Sequence, residues 1–142
     1  WPNYPERAPT SQMGDKLIVL EDTNADGRAD KQTVFLDDLN CPTGFQFYRD
    51  GVLVVQAPDL WFVRDTDNDG RADWKERVLM GMDSADTHHA SNSFVMDPGG
   101  AFYFQEGHAR RYERAKYGEL RVDPSGGSVL VGLRDSLQRA LR

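Results

Sequence analysis

Residues 60–73, Leu-Trp-Phe-Val-Arg-Asp-Thr-Asp-Asn-Asp-Gly-Arg-Ala-Asp, decide how the chain is read, because residues 17–30, LIVLEDTNADGRAD, carry the same pattern 43 positions earlier. In both copies a short apolar run leads into Asp-Thr, an acidic turn and Asp-Gly-Arg-Ala-Asp. Each copy then enters a second apolar stretch, Thr33–Leu36 or Arg77–Met80, so the unit reads strand, turn, strand: a hairpin. Between the copies, Phe45, Phe47, Val52, Val54 and Val55 mark another strand pair turning at Arg49-Asp50-Gly51, since Asp-Gly is a strong hairpin signal.

Four strands in a period of 43 residues match the ~40–45 residues of a four-stranded propeller blade. Blades are expected near residues 17–59, 60–92 and 93–132. The third would be built from SNSFVMD, the turn Pro98-Gly99-Gly100, AFYFQ, and the stretches Glu119–Val122 and Ser128–Val131 around Asp123–Gly127. Residues 133–142, LRDSLQRALR, read as a short C-terminal helix. Propellers close with at least about four blades. The expectation is therefore an all-β chain, a partial β-propeller forming one domain over residues 1–142, completed by further blades, by self-association or by another subunit.

The composition sets the outer limits. With 39% hydrophobic and 28% charged residues the chain has the make-up of a soluble globular domain, without a transmembrane run. A net charge of −6, with 17 basic residues scattered among 23 acidic ones, argues against a nucleic-acid partner. The single cysteine, Cys41, forms no intrachain disulfide, no haem-attaching motif and no thiolate zinc site, and reads as a small buried hydrophobe. The chain starts at Trp1 with no charged n-region and apolar h-region, which points to a start that has been processed or cut from something longer.

The acidic turns carry the most specific chemistry. In the second copy Asp65, Asp67 and Asp69 hold positions 1, 3 and 5 of the loop, Gly70 position 6, the Arg71 carbonyl position 7 and Asp73 position 9. That spacing wraps hard oxygen donors around one cation, and the glycine permits the reversal that turns alternate carboxylates inward, the pattern calcium requires. The first copy offers Asp22, Asn24, Asp26, Gly27, the Arg28 carbonyl and Asp30, with one carboxylate replaced by an amide and hence a lower expected affinity. The alternative is a pair of polar hairpin turns rich in Asp, Asn and Gly for conformational reasons. Asp65–Glu76 also has the length of an EF-hand loop, but Pro58 and the β-prone Leu60–Val63 oppose an entering helix, and Thr33 stands where the first loop would need its bidentate Glu.

A second polar segment, Asp83-Ser84-Ala85-Asp86-Thr87-His88-His89-Ala90-Ser91-Asn92, sets two histidines beside two carboxylates. Three readings stay open: a general base with an orienting carboxylate, a metal site, or a hydrogen-bonded connection between blades. Neighbours on a strand face opposite sides, so His88 and His89 would not share one role. The catalytic candidates are His88, His89 and Asp86.

The stretch from LEDTNADGRAD through DTDNDGRADWKERVL to MDSADTHHASNSFVMDPGGAFYFQEG resembles the N-terminal propeller of the membrane-bound dehydrogenase family, also called PVC-type haem-binding CxxCH proteins, of planctomycetes and their relatives. The likeness covers about residues 12–107. It implies a six-bladed-type propeller related in shape to the quinoprotein sugar dehydrogenases, an exported (periplasmic or extracellular) location, and downstream helical-repeat and c-type haem domains. This chain lacks the haem motif, and HARRYERAKYGEL, from His108 onward, follows the family poorly.

Two functions are expected on this basis. One is the calcium-binding propeller portion of a sugar or polyol dehydrogenase using a quinone such as PQQ, with His88 or His89 taking the hydroxyl proton as hydride leaves. Such chemistry requires a cofactor, because no side chain accepts hydride. The other is a non-enzymatic, calcium-stabilised module that binds a carbohydrate or a protein. Trp61, Trp74, Phe102, Tyr103 and Phe104 suit sugar stacking and a propeller core alike.

Overall fold

In the computed structural model each acidic loop closes an antiparallel hairpin, and the two hairpins match over the five residue pairs nearest the loop. The described residues are 2–82, 84, 87–99, 101–106, 114–115, 119–122 and 129–134. Strands β1 (Asp15–Glu21) and β2 (Lys31–Leu39) flank the first loop; β5 (Asp59–Arg64) and β6 (Trp74–Met80) flank the second. In the first hairpin Glu21 pairs with Lys31, Val19 with Thr33, Ile18 with Val34 and Leu17 with Leu36. In the second, Arg64 pairs with Trp74, Phe62 with Glu76, Trp61 with Arg77 and Leu60 with Leu79. From Leu17 and Leu60 to the loop the register is the same after the repeat offset, including a bulge that skips Phe35 in one copy and Val78 in the other; beyond it the first hairpin has a further irregularity between Asp15 and Leu17.

The strand pair between the copies, β3 (Gly44–Tyr48) and β4 (Gly51–Gln56), turns at Arg49-Asp50 as the sequence suggests, with Tyr48 opposite Gly51. It joins the second hairpin rather than the first. The central sheet runs β3-β4-β5-β6 and ends on a short β9 (Arg114–Ala115), while β1-β2 form a sheet of their own. The expected unit 17–59 is therefore not one sheet, and the four-stranded meander spans Gly44 to Met80 across the expected 59/60 boundary. The 92/93 boundary likewise falls inside β7 (Asn92–Met96). Strands β7, β8 (Phe102–Glu106), β10 (Glu119–Val122) and β11 (Val129–Arg134) form a third sheet in the order β10-β11-β8-β7.

Burial explains why the central sheet takes this position. Val52, Val54 and Val63 face the first hairpin, packing with Leu39, Leu17, Phe35 and Leu36. Leu53, Val55, Leu60 and Phe62 face the other way, onto Phe102, Phe104, Phe94 and Met96 of the third sheet. A strand covered on both sides is apolar without alternation, and β4 reads Val-Leu-Val-Val accordingly. Gly44 lets the third sheet approach: a Cβ there would lie 2.0 Å from Cε2 of Phe94, whose ring stacks on Phe102 at 5.6 Å. The chain is all-β, made of several antiparallel sheets, and no sheet closes on itself among the described residues.

Two further differences concern the ends of the pattern. Of the helix expected over 133–142, Leu133 and Arg134 belong to β11, pairing with Phe102 and, in Arg134's case, Glu119; residues 135–142 lie outside the described residues. Arg114-Ala115 follows Arg71-Ala72 by the same 43 positions that separate the latter from Arg28-Ala29. The register repeats too. Ala115 pairs with Leu79, and one period earlier the Ala72 amide donates to the Phe35 carbonyl, next to Leu36. Residues 107–113 and 116–118, between β8, β9 and β10, lie outside the described residues. Among the described residues no helix is long and apolar enough to cross a membrane.

Candidate metal centre

The second loop brings three of its carboxylates together. Ligand oxygens of Asp65, Asp67 and Asp69 all lie within 4.8 Å of one another. Calcium–oxygen bonds of about 2.3–2.6 Å place any two donors of one ion within roughly 5 Å, so this set fits a single calcium sphere, and its hard, anionic oxygens suit that ion. No α-helix flanks either loop among the described residues, and Glu76, the twelfth position of an EF-hand, lies in β6 opposite Phe62.

The backbone of the loop holds the carboxylates in place. Asp65 accepts from the amides of Asp69 at 3.2 Å and Gly70 at 2.9 Å, Asp67 from Asp69 at 3.2 Å, and Asp69 from Arg71 at 2.8 Å. The turn needs left-handed residues, and Asn68 (φ 62°) and Gly70 (φ 88°) supply them. The first loop repeats the arrangement: Asp22 accepts from Asp26 at 3.2 Å and Gly27 at 2.8 Å, Asn24 from Asp26 at 3.0 Å, and Asp26 from Arg28 at 2.8 Å. There the left-handed positions are Ala25 (φ 61°) and Gly27 (φ 85°). The Asn24 amide also donates to Asp26 at 3.3 Å, a side-chain donor that the second loop, with Asp67 at that position, does not have.

Asp30 and Asp73, expected as ninth-position ligands, are engaged elsewhere in the loop. Asp73 accepts from the Thr66 amide at 2.9 Å and the Thr66 hydroxyl at 2.5 Å. Asp30 accepts from Thr23 in the same way, at 3.0 and 2.8 Å. These bonds hold both carboxyls below the usual range: the hydroxyl of Thr66 and then its amide for Asp73, the amide of Thr23 and then its hydroxyl for Asp30. Asp22 is lowered as well, chiefly by the Gly27 amide. Thr23 and Thr66 are thus working members of the loops that the ligand spacing alone does not single out. Their signal was the Asp-Thr dipeptide opening both copies.

The histidine segment lies apart from these loops. Thr87–His89 form a 3-10 turn rather than a strand, so the opposite-face argument does not apply. The His88 ring is exposed and meets Tyr4 edge-to-face at 5.4 Å. Thr87 donates to the Pro5 carbonyl at 2.6 Å. Asp83, Asp86 and the His89 side chain lie outside the described residues. A cavity of about 250 Å³ opens elsewhere, lined by Leu17, Ile18, Leu39, Phe45 and Val54 among others.

Phe102 and Phe104 are core, and the Trp61 ring lies under Lys75 and Arg77, at 4.3 and 4.9 Å. Cys41 is buried, with its amide donating to Asp15 at 2.6 Å; burial, then the neighbouring Asp15, pushes the thiol up and keeps it inert.

A family model described as Domain of unknown function (DUF7133) matches residues 1–130. No curated protein matches the chain. No solved structure matches it.

Proposed function

The chain belongs to the DUF7133 family, and from that premise we propose that it is a calcium-stapled β-repeat module of propeller type, serving as a binding or scaffold segment. One observation carries this reading: three carboxylates of one hairpin turn converge within 4.8 Å, on a loop whose hydrogen-bond plan recurs in the other copy. Convergent, like-charged groups are costly unless a cation compensates them, and the most direct compensation is a divalent ion with oxygen preference. The ion's role is to hold the turn, since no cavity among those described opens onto it. Face-to-face packing of successive sheets, with the loop of one repeat bonded to the strand of the one before, supports the propeller-type arrangement. An exported setting suits the proposal, because extracellular calcium fills loops of modest affinity.

The surroundings of His88 support a connecting role over a catalytic one. The turn fastens residues 4 and 5 to the start of β7 through Tyr4–His88 and Thr87–Pro5, and no pocket with convergent polar groups surrounds it among the described residues. Isothermal titration of chelator-treated protein with calcium tests the function directly. Two bound ions, the tighter lost in Asp67→Ala plus Asp69→Ala, are expected; undiminished binding in that variant overturns the reading.

A further inference from the structure

We propose that Asn3, Arg7 and Ser91 line an enclosed site for a small inorganic anion of the halide class, between the segment 3–8 and the stretches 40–43 and 87–91. The site lies apart from the acidic loops and does not depend on calcium.

Residues 3–8 are tied along their length to the body of the chain. The backbone amide of Asn3 donates to Asp15 at 3.2 Å, Ala8 and Asn40 exchange bonds at 3.0 and 2.7 Å, and Arg7 Nη1 donates to the Ala57 carbonyl at 2.5 Å. The Cys41 thiol donates to the carbonyl of Asn3 at 3.3 Å and lies 3.7 Å from that of Glu6. Thr87 holds the Pro5 carbonyl, and Thr43 donates to the Ser91 carbonyl at 2.6 Å. Asn3, Arg7 and Ser91 therefore share one neighbourhood around Cys41 and Thr43.

Four buried polar atoms in that neighbourhood have no partner: Asn3 Nδ2, Arg7 Nε, Arg7 Nη2 and the Ser91 hydroxyl, on a residue 0% exposed. Three of them can only donate a hydrogen bond, and the hydroxyl can donate as well. What they lack is an acceptor. A guanidinium is always charged in proteins, and Nε with Nη2 is the two-pronged edge that takes an anion. In Arg7 that edge is buried, and the one bond its guanidinium makes among the described residues goes to a neutral carbonyl. A buried cation calls for a negative charge. Asp15, the fully buried carboxylate of this neighbourhood, is engaged by the amides of Asn3 and Cys41.

Water answers the need less well. It accepts two hydrogen bonds and must place two hydrogens of its own, for which the orphaned set offers the Ser91 oxygen alone. A halide accepts from every side, donates nothing and carries the missing charge. Because these atoms are enclosed by the chain's own residues, the acceptor has to be small: further polypeptide lying on the surface does not reach them.

The test follows the chlorine NMR line width and the melting temperature of the whole chain in sodium chloride against sodium methanesulfonate, at equal ionic strength and fixed calcium. Saturable line broadening and a higher melting temperature in chloride are expected. Arg7→Gln should remove both responses. Ser91→Ala should weaken chloride about tenfold, the worth of one hydrogen bond to a charged group, and this smaller change carries the test if Arg7→Gln does not fold. Lys16→Gln, at an exposed position, alters the net charge equally and should change neither response. A line width and melting temperature indifferent to chloride leave the donors to water and overturn the proposal. So does a response undiminished in Arg7→Gln and Ser91→Ala, which marks an adventitious ion only, or one that arises only after Asp83→Asn plus Asp86→Asn, which gives the acceptor to the chain's own carboxylates.

Discussion

The amide of Ala72 donates to the carbonyl of Phe35 at 2.7 Å, tying the second acidic loop to the repeat before it. Phe35 is the residue that the β1–β2 ladder skips, and a bulge frees a backbone group from its own sheet. Arg71 reaches the same strand through Asp37 at 3.5 Å. Ordering this loop therefore also orders β2. Calcium added to the chelated protein should slow amide exchange in residues 33–37 as well as in 65–73. In Asp67→Ala plus Asp69→Ala neither segment should respond; a response confined to 65–73 in the parent protein would show the two repeats to be uncoupled.

Calcium should raise the melting temperature. An ion that binds the folded loops and not the unfolded chain adds RT ln(1 + [L]/Kd), about 2.7 kcal/mol per site at a hundredfold excess over Kd. At roughly 2–4 °C per kcal/mol for a chain of this size, two filled sites give a shift readable by circular dichroism or calorimetry.

The first loop can be improved at one position. Ala25 holds φ 61°, where the second loop has Asn68 at φ 62°. A left-handed conformation costs an ordinary L-residue roughly 1–2 kcal/mol, and asparagine tolerates it better. Ala25→Asn should stabilise the protein by about 1 kcal/mol in chemical denaturation and tighten calcium at the weaker site. Asn68→Ala should do the reverse.

The loops and most strands are legible in the sequence because their signals are local. Gly70 and Gly27 follow acidic residues at fixed spacing, and Asp50-Gly51 marks a hairpin. The sheet to which β3–β4 belongs is not legible. Val52–Val55 are apolar on both faces, so periodicity does not say whether the pair joins the hairpin before it or the one after. That choice is made at the two-residue turn Ala57-Pro58, where Gln56 pairs with Asp59 and joins β4 to β5; it is a turn that the Asp-Gly signal does not mark. The roles of Asp30 and Asp73 escape for a related reason: ligand spacing counts carboxylates, whereas the partner of each is a threonine seven residues earlier.

Gly44→Ala tests the packing between the central and third sheets. The added Cβ would meet Phe94 at 2.0 Å, and the ring is held by its stack on Phe102. Overpacking of this kind costs about 1–3 kcal/mol, with calcium binding retained. Gly44→Ala combined with Phe94→Leu should recover part of the loss, and a double variant no better than the single would place the strain elsewhere.

Acid should loosen both loops in a defined window. Asp22, Asp30 and Asp73 are all depressed below an ordinary value of 3.8, so in the folded state they favour the charged form more than in the unfolded chain. Their contribution to stability is complete above the unfolded value and falls away as pH drops through the lowered folded values. Stability should therefore be flat in these groups from neutrality down to about pH 4 and decline below it. Thr66→Val removes the hydroxyl that is the largest cause of the Asp73 shift, and should return the Asp73 titration, followed by carboxyl carbon NMR, toward the ordinary value. Thr66→Ser retains the hydroxyl and should leave Asp73 low. In the first loop the hydroxyl of Thr23 is the second cause of the Asp30 shift, after its amide, and Thr23→Val should likewise move Asp30 toward the ordinary value. If neither substitution shifts its partner, the threonine clamp is not what sets these carboxyls.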